Sequence, residues 1–278
     1  MAIHPSAEIH PSAEVHPGAD IGPRVIIGPG SVVGEGCVLM AGAVIGPRVR
    51  MGSGNKLYPY AVVGEAPQHV ACDPDIASFL EIGANNTFRE HVTAHRSIYE
   101  GGRTVIGDGN YFMAGGHIAH DCVLGSNIVM TNLAGVAGHV EIGDRAFISG
   151  PVGVHQWVRV GRLAMVGGMT GVGQDVPPFM NVRGDCTLVG LNTIGLRRAG
   201  ISAETRLVLK QFYKALFRSG RPLRKAAESL AAEWSGREMP GEARELLDFC
   251  LAKSKRGIAR GPRPAAQRAS ASGADLEE

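Results

Sequence analysis

Residues 19–39 read Ala19-Asp-Ile-Gly-Pro-Arg-Val-Ile-Ile-Gly-Pro-Gly-Ser-Val-Val-Gly-Glu-Gly-Cys-Val-Leu39, and in them Ile21, Ile27, Val33 and Leu39 recur every six residues. Outward from this stretch the period holds in both directions. It begins at Ile3, Ile9 and Val15 and continues through Ile45, Met51, Leu57 and Val63. It returns at Ile82, Phe88 and Ala94, resumes at Ile106, and runs from Phe112 and Ile118 to Val166 and Val172. A period of six fits neither a helix nor a simple alternating strand. It fits a coil with three flat faces, six residues to a face, with the aliphatic residue inward and small residues at the corners. Successive coils then stack about 4.8 Å apart as parallel strands. A β-sandwich would need strands at 8–12-residue spacing instead. The expected fold is mainly β: a left-handed parallel β-helix of hexapeptide repeats, an exception to the usual right-handed crossover.

Two segments break the repeat. Residues 66–79 shift its register, and residues 97–103 form a loop that leaves the register intact. Loops on a rigid scaffold are where function concentrates. The β-helix is expected to span 1–186. A helical domain is expected over 187–260, with helices near 203–219 (Ser202 as N-cap), 222–235 and 241–254. The Ala-, Ser- and Pro-rich residues 261–278 are expected to be a disordered tail.

Composition excludes several classes. The 278 residues carry a formal net charge of +2, too small to imply nucleic acid or a membrane surface as partner. The basic residues gather after Arg183. The five cysteines are widely spaced without a Cys-x-x-Cys pair, which predicts free thiols in a cytoplasmic protein. The first residues lack a basic stretch followed by an apolar run, so no signal peptide is expected, and no apolar run approaches spanning length.

Among ten histidines, His4, His10 and His16 read as bland surface corners. The informative ones are His95, His117, His120, His139 and His155. One coil is three hexads, so residues 18 apart stack. Gly138 should lie one coil above His120, with Gln156 one coil further and His139 and His155 beside the column. A histidine near neutral pKa suits proton removal from a hydroxyl or amine. A free backbone N–H at a glycine corner suits a developing oxyanion. Asp121 can orient the His120 imidazole. Zinc is a rival use for His-Ile-Ala-His-Asp-Cys, since β-helical carbonic anhydrases hold zinc with three histidines from two subunits. Their His–His spacing is longer than the one here, and the expectation is no metal and no cofactor. A scaffold or regulatory binder without activity is a further alternative, against which the intact His120, Asp121 and Gly138 argue.

Gly116-His-Ile-Ala-His-Asp-Cys122, Ala137-Gly-His139, Val154-His-Gln156, Val166-Gly-Gly168 and Gln174-Asp-Val-Pro-Pro178, with Arg89-Glu90, Thr93-Ala-His-Arg96, Gly190-Leu-Asn192 and Gly195-Leu-Arg-Arg198, resemble the UDP-N-acetylglucosamine O-acyltransferases of lipid A biosynthesis. The resemblance covers about residues 1–260. It implies a cytoplasmic homotrimer with sites between subunits. The donor would be an acyl carrier protein bearing a 3-hydroxyacyl chain, received by the basic C-terminal helices, and the acceptor the 3-position of a UDP-hexosamine. It implies His120 as general base, Asp121 as its partner and Gly138 N–H as oxyanion donor. Gln68, His69, His95, His117, His139, His155 and Gln156 would contact substrate. Asn192 and Arg198 would lie near the nucleotide, and Gly168 would be the ruler that ends the acyl groove. Nucleic acid and stable membrane insertion are not expected.

The chain departs from the family where Gln68 is commonly followed by Asp-x-Lys: here the matching residues are His69 and Ala71. His91 replaces a commonly small residue, and Ala199 an Arg. These changes fall on the acceptor side, so an alternative is N-acylation of a 3-amino UDP-sugar or a related nucleotide amino sugar.

Overall fold

The structure, a computed structural model, describes residues 2–261. Strands of mostly two residues run up the molecule in three sheets of eleven, nine and eight strands, which the chain visits in rotation. The first face starts at Ala2–Ile3, the second at Glu8–Ile9 and the third at Glu14–Val15. Neighbours are parallel and one coil apart: Ile3 pairs with Ile21, and Ile118 with Val136 and through it Val154 and Val172. This is the left-handed parallel β-helix anticipated from the hexads. Each strand turns one residue in and one out: Val33 is buried and its neighbour Val32 exposed. The hexad aliphatics form a single continuous core up the prism.

The glycine that follows so many of them answers a close approach between coils. A Cβ on Gly28 would come within 2.7 Å of the Gly46 carbonyl carbon in the coil above. Only a residue without a side chain lets the backbones stack there.

A buried asparagine ladder carries the stack through the two irregular coils. Asn55 Oδ1 accepts from the Asn86 backbone N–H, Asn86 Oδ1 from that of Asn110, and Asn110 Oδ1 from that of Ile128. These steps span 31, 24 and 18 residues respectively. The segment 97–103 therefore adds one whole hexad and preserves the register, whereas 66–79 adds a length that is no multiple of six.

Beyond Val172 the first face is extended by Met180–Arg183 and, antiparallel to it, Thr187–Leu191. The expected helical region from 187 thus opens with a β-strand, because Thr187–Leu191 finds an open sheet edge to pair with. Helices follow: α1 (Thr193–Arg198), α2 (Ala203–Phe217), α3 (Leu223–Glu233) and α4 (Gly241–Leu251). Ser202 caps α2 by accepting from the Thr205 N–H at 3.1 Å. The segment after α4 returns to the prism. Asp175 donates its N–H to Gly257 O, and Ala259 donates to Asp175 O. The carboxylate of the fully buried Asp175 accepts from Arg159 Nε at 2.8 Å. Of the expected tail, residues 262–278 lie outside the described residues. No described helix is long and apolar enough to cross a membrane.

Candidate active site

One corner of the prism, between the second and third faces, carries both insertions and the histidine cluster. Ascending, the chain there passes Pro11-Ser12, Pro29-Gly30 and Pro47-Arg48, then the loops 66–79 and 97–103, then His120-Asp121, Gly138-His139 and Gln156-Trp157. Asp121, His139 and Trp157 hold left-handed φ of 59°, 61° and 68°. The His139 N–H donates to His120 O, and the Trp157 N–H to Gly138 O, which fixes the column coil by coil.

His120 is buried, and its Nδ1 donates to Asp121 Oδ2 at 2.9 Å. That bond assigns the proton to Nδ1 and leaves Nε2 as the accepting atom. Asp121 is itself held by the loop below it: Ser97 Oγ donates to Oδ1 and the Ile98 N–H to Oδ2 at 3.2 Å. Gly138 lies flat against the imidazole, so close that a Cβ there would sit 2.3 Å from His120 Cε1. The Gly138 N–H donates to no backbone group among the described residues.

The loop 66–79 folds back over this corner. His69 meets His120 edge to face, with ring centroids 5.9 Å apart. The loop is pinned from beneath by Arg96, whose buried guanidinium donates to the carbonyls of Gly64, Pro74 and Ile76 at 2.8–3.1 Å. His95 Nδ1 donates to Ala66 O at 2.8 Å. His95 Nε2 is buried without a partner among the described residues. His117 bonds Thr93 Oγ1 through Nδ1 at 2.8 Å. Burial, the largest cause, pushes His95, His117 and His139 below the ordinary imidazole pKa. The neighbouring imidazoles add to this at His117. Burial therefore favours the uncharged form of all three rings.

From His120 an apolar groove of about 670 Å³ rises along the second face, past Gln68 and His155 to Gly173. Its floor is a column of outward-facing glycines, Gly135, Gly153 and Gly171, paired coil on coil above His117. A Cβ on Gly153 or Gly171 would meet nothing within 4 Å. The trough exists because three consecutive outward positions lack side chains. It is a long, open, mainly apolar trough that starts at His120. Gln156 lines it as well.

Three expected residues lie elsewhere. Gly168 sits at the corner between the first and second faces, stacked over Gly150, outside the groove of the same chain. Asn192 and Arg198 line a separate cavity of about 710 Å³ with Asn127, Arg145 and Leu163, at the corner between the third and first faces. Asn192 caps α1, accepting from the Gly195 N–H and donating to Leu163 O. Asn192 and Arg198 thus lie at a different corner of the prism from His120.

His120, Asp121 and His139 also place one possible metal-ligand atom each within 4.8 Å of one another. Both Asp121 oxygens are already engaged, by Ser97, Ile98 and His120 Nδ1. A metal taking Asp121 would compete with the three donors that already hold that carboxylate, so the trio fits a hydrogen-bonded base better than a ligand set. Sequence reasoning missed Ser97, Arg96 and Trp157. Arg96 closes the Thr93-Ala-His-Arg96 motif, but only the fold shows that it serves the loop.

Residues 175–259 match the family model described as UDP N-acetylglucosamine O-acyltransferase, domain 2. Residues 2–35 and 30–65 match that of bacterial transferase hexapeptide repeats. The acyl-acyl-carrier-protein–UDP-N-acetylglucosamine O-acyltransferase of Thermodesulfovibrio yellowstonii is 44% identical over 237 residues, which cover 78% of this chain and 90% of that protein. The chain belongs to the UDP-N-acetylglucosamine O-acyltransferase family. The relative from Verminephrobacter eiseniae is 42% identical over 78% of the chain and 83% of its own. The crystal structure of the Moraxella catarrhalis UDP-N-acetylglucosamine O-acyltransferase superposes with a TM-score of 0.88 at 38% identity, covering 94% of this chain and all of that one. That of the Bacteroides fragilis acyltransferase gives 0.87 at 36%, covering 93% and all of it. In an acyltransferase of this family a buried imidazole beside a carboxylate, a bare glycine corner and an apolar trough have an evident joint use.

Proposed function

We propose that this acyltransferase moves a 3-hydroxyacyl chain from acyl carrier protein to the 3-hydroxyl of UDP-N-acetylglucosamine, in the cytoplasm, as the first step of lipid A biosynthesis. The observation that carries this reading is the continuity of His120, Gly138 and the glycine-floored trough. The trough receives the acyl chain and brings its thioester carbonyl to the Gly138 corner. His120 Nε2 takes the proton of the sugar hydroxyl as the oxygen attacks that carbonyl. The Gly138 N–H faces the oxyanion that forms, and Asp121 balances the imidazolium. Collapse releases the carrier's thiolate, which takes the proton back from His120. Of the expected substrate contacts, Gln68, His117, His155 and Gln156 line the trough, and His69, His95 and His139 gather around His120 and His117 at its lower end, where the acceptor would bind.

The reading includes a homotrimer. One chain splits the family's motifs between corners, His120 at one and Asn192 with Arg198 at another, so a nucleotide reaching both needs a neighbouring copy. A third corner exposes Leu133 and Met169, 65% and 77% accessible, next to Gly168. Exposed apolar side chains at this corner support placing an association surface there. It would also bring the neighbour's Gly168 to the trough as its end-stop. Light scattering should give the mass of a trimer, and a monomer at micromolar concentration contradicts the shared site.

The decisive assay mixes purified protein with 3-hydroxyacyl carrier proteins of several lengths and either UDP-N-acetylglucosamine or its 3-amino analogue, read by mass spectrometry. An ester on UDP-N-acetylglucosamine supports the proposal, and no acyl product on either sugar defeats it. His69 against His120, where relatives commonly carry an acid, favours testing the amine. An amide on the analogue without an ester on the parent sugar would give the chain to the alternative N-acyltransferase.

A further inference from the structure

Trp157 lies one coil above His139 at the same corner, and their rings stack face to face, 3.7 Å apart with planes 3° from parallel. The far face of the indole is covered by Lys255, whose Nζ lies 3.2 Å from the ring centroid. Lys255 belongs to the segment that returns from α4 and is stapled to the last coil through Asp175, Gly257 and Ala259. His139 makes no side-chain hydrogen bond to any described residue, yet its ring meets His120 edge to face at 5.2 Å and Tyr99 at 5.9 Å. His120, by contrast, is fixed by Asp121 and Gly138. What holds the His139 ring in place is therefore the indole above it, backed by a cation of the C-terminal segment.

We infer that Trp157 is a positioning residue for acyl transfer. Pressed from outside by Lys255, it holds His139 at the angle at which that ring borders His120. Its role passes through His139, and it touches neither reacting atom. A stacked aromatic pair is favoured beyond the area it buries, and a cation over an indole adds a further attraction. Both are enough to select one rotamer of a ring with no hydrogen bond to direct it. The arrangement also ties the helical domain to the site, since Lys255 reaches Trp157 only while the segment after α4 is docked.

This inference rests on the acyl-transfer reading, and its test separates the two. In the intact protein, Trp157→Ala should lower kcat about tenfold with KM for the UDP-sugar changed less than about twofold. Trp157→Phe, which keeps a flat ring, should recover activity to within about threefold of the parent. In a His139→Ala background, Trp157→Ala should cost nothing further, because the path it acts through is gone. Full additivity of the two substitutions, or no rescue by Phe, overturns the inference. A second arm needs no activity. With Trp234→Phe leaving Trp157 as the single indole, His139→Ala should raise and shift its emission by removing the stacked imidazole. Unchanged emission shows that the stack does not persist in solution and overturns the inference. Absence of acyl transfer by the parent protein, with the emission change present, defeats the functional reading and leaves the stack.

Discussion

The corner between the second and third faces has one backbone path and two characters. In the first coils it reads Pro11-Ser12, Pro29-Gly30 and Pro47-Arg48. In the later coils it reads His120-Asp121, Gly138-His139 and Gln156-Trp157. Left-handed φ does not tell them apart. Arg48 at 56° shares it with Asp121 at 59°, and Gly30 at 66° with Trp157 at 68°. Left-handed backbone recurs at corners of both stretches. A histidine by itself does not tell them apart either. His10, at the first of these corners, is exposed and bonds Ser12 Oγ two residues on. His120, at the later corner, is buried and turns to Asp121. The difference is what stands between the two stretches. The insertions 66–79 and 97–103 rise from the same corner and close over His120, which is buried, while Asp121 and His139 beside it are half-buried and Gln156-Trp157 above stay exposed. Burial and mutual contact then change what an imidazole can do.

The sharpest way to break this comparison is to treat matched positions alike. His120→Ala should lower kcat by about 10²–10⁴-fold, the usual span for loss of a general base, with the mass of the assembly unchanged. His10→Ala, in the early coils, should leave the steady-state rate within twofold. Comparable losses from both would end the distinction between the two halves of the corner.

Glycine offers the next test. Gly138→Ala sets a methyl 2.3 Å from His120 Cε1, so the imidazole must swing off Asp121 and off the groove. An activity loss of at least about tenfold is expected, with a thermal midpoint little changed. Gly30→Ala should show the reverse. Its Cβ would meet nothing, but its φ of 66° disfavours an L side chain. About 1 kcal/mol of stability should be lost, with no loss of rate. Calorimetry and initial rates on the same two variants decide this.

The roof over the later coils can be loosened without touching the base. Arg96→Met removes the guanidinium that holds the carbonyls of Gly64, Pro74 and Ile76. The stranded buried acceptors should cost on the order of 1–3 kcal/mol. KM for the UDP-sugar should rise more than kcat falls, because Gln68 and His69 ride on this loop. A protease cut appearing within 66–79 would confirm the loosening. A fall in kcat alone would mean that the loop does not serve the acceptor.

The period of six made the prism, its core and the 18-residue stacking legible in the amino-acid sequence. The stacking rule by itself puts Gly138 over His120. What stayed hidden was sideways. The repeat says which residues share a column, but not that 66–79 folds back onto it. Nor does it say that Ser97 and Ile98 reach up to Asp121, or that a lysine beyond α4 covers Trp157. Those contacts join residues up to 98 positions apart through loops with no period. The strand Thr187–Leu191 escaped for a related reason. Its antiparallel pairing depends on an edge left open by Met180–Arg183, which no local pattern records. Gly168, Asn192 and Arg198 belong to corners that one chain cannot bring to His120.

Burial of the later corner should also register in stability against pH, the smallest of these effects. His95, His117 and His139 are held below the ordinary imidazole pKa, chiefly by desolvation. In the unfolded chain each would take up a proton near pH 6.5. The folded chain resists protonation until lower pH. Between those values the unfolded state binds more protons, so stability rises with pH. It should therefore be complete above about pH 6.5 and decline as pH falls through the folded pKa values, each group contributing at most about 1.4 kcal/mol per pH unit. The groups facing these rings set the size of the effect. Glu65 near His95, and Asp121 near His139, favour the charged form and soften the decline, while His120 and Lys255 oppose it. Thermal midpoints from pH 8 to 5, at fixed protein concentration, should fall by a few degrees, which about 1–2 kcal/mol implies for a chain of this size. His117→Gln keeps a hydrogen-bonding amide beside Thr93 and removes one titrating group, so it should flatten the curve below pH 6.5. An unchanged slope in that variant would mean that His117 is solvated in solution, and that the loops do not shelter the corner as the structure has them.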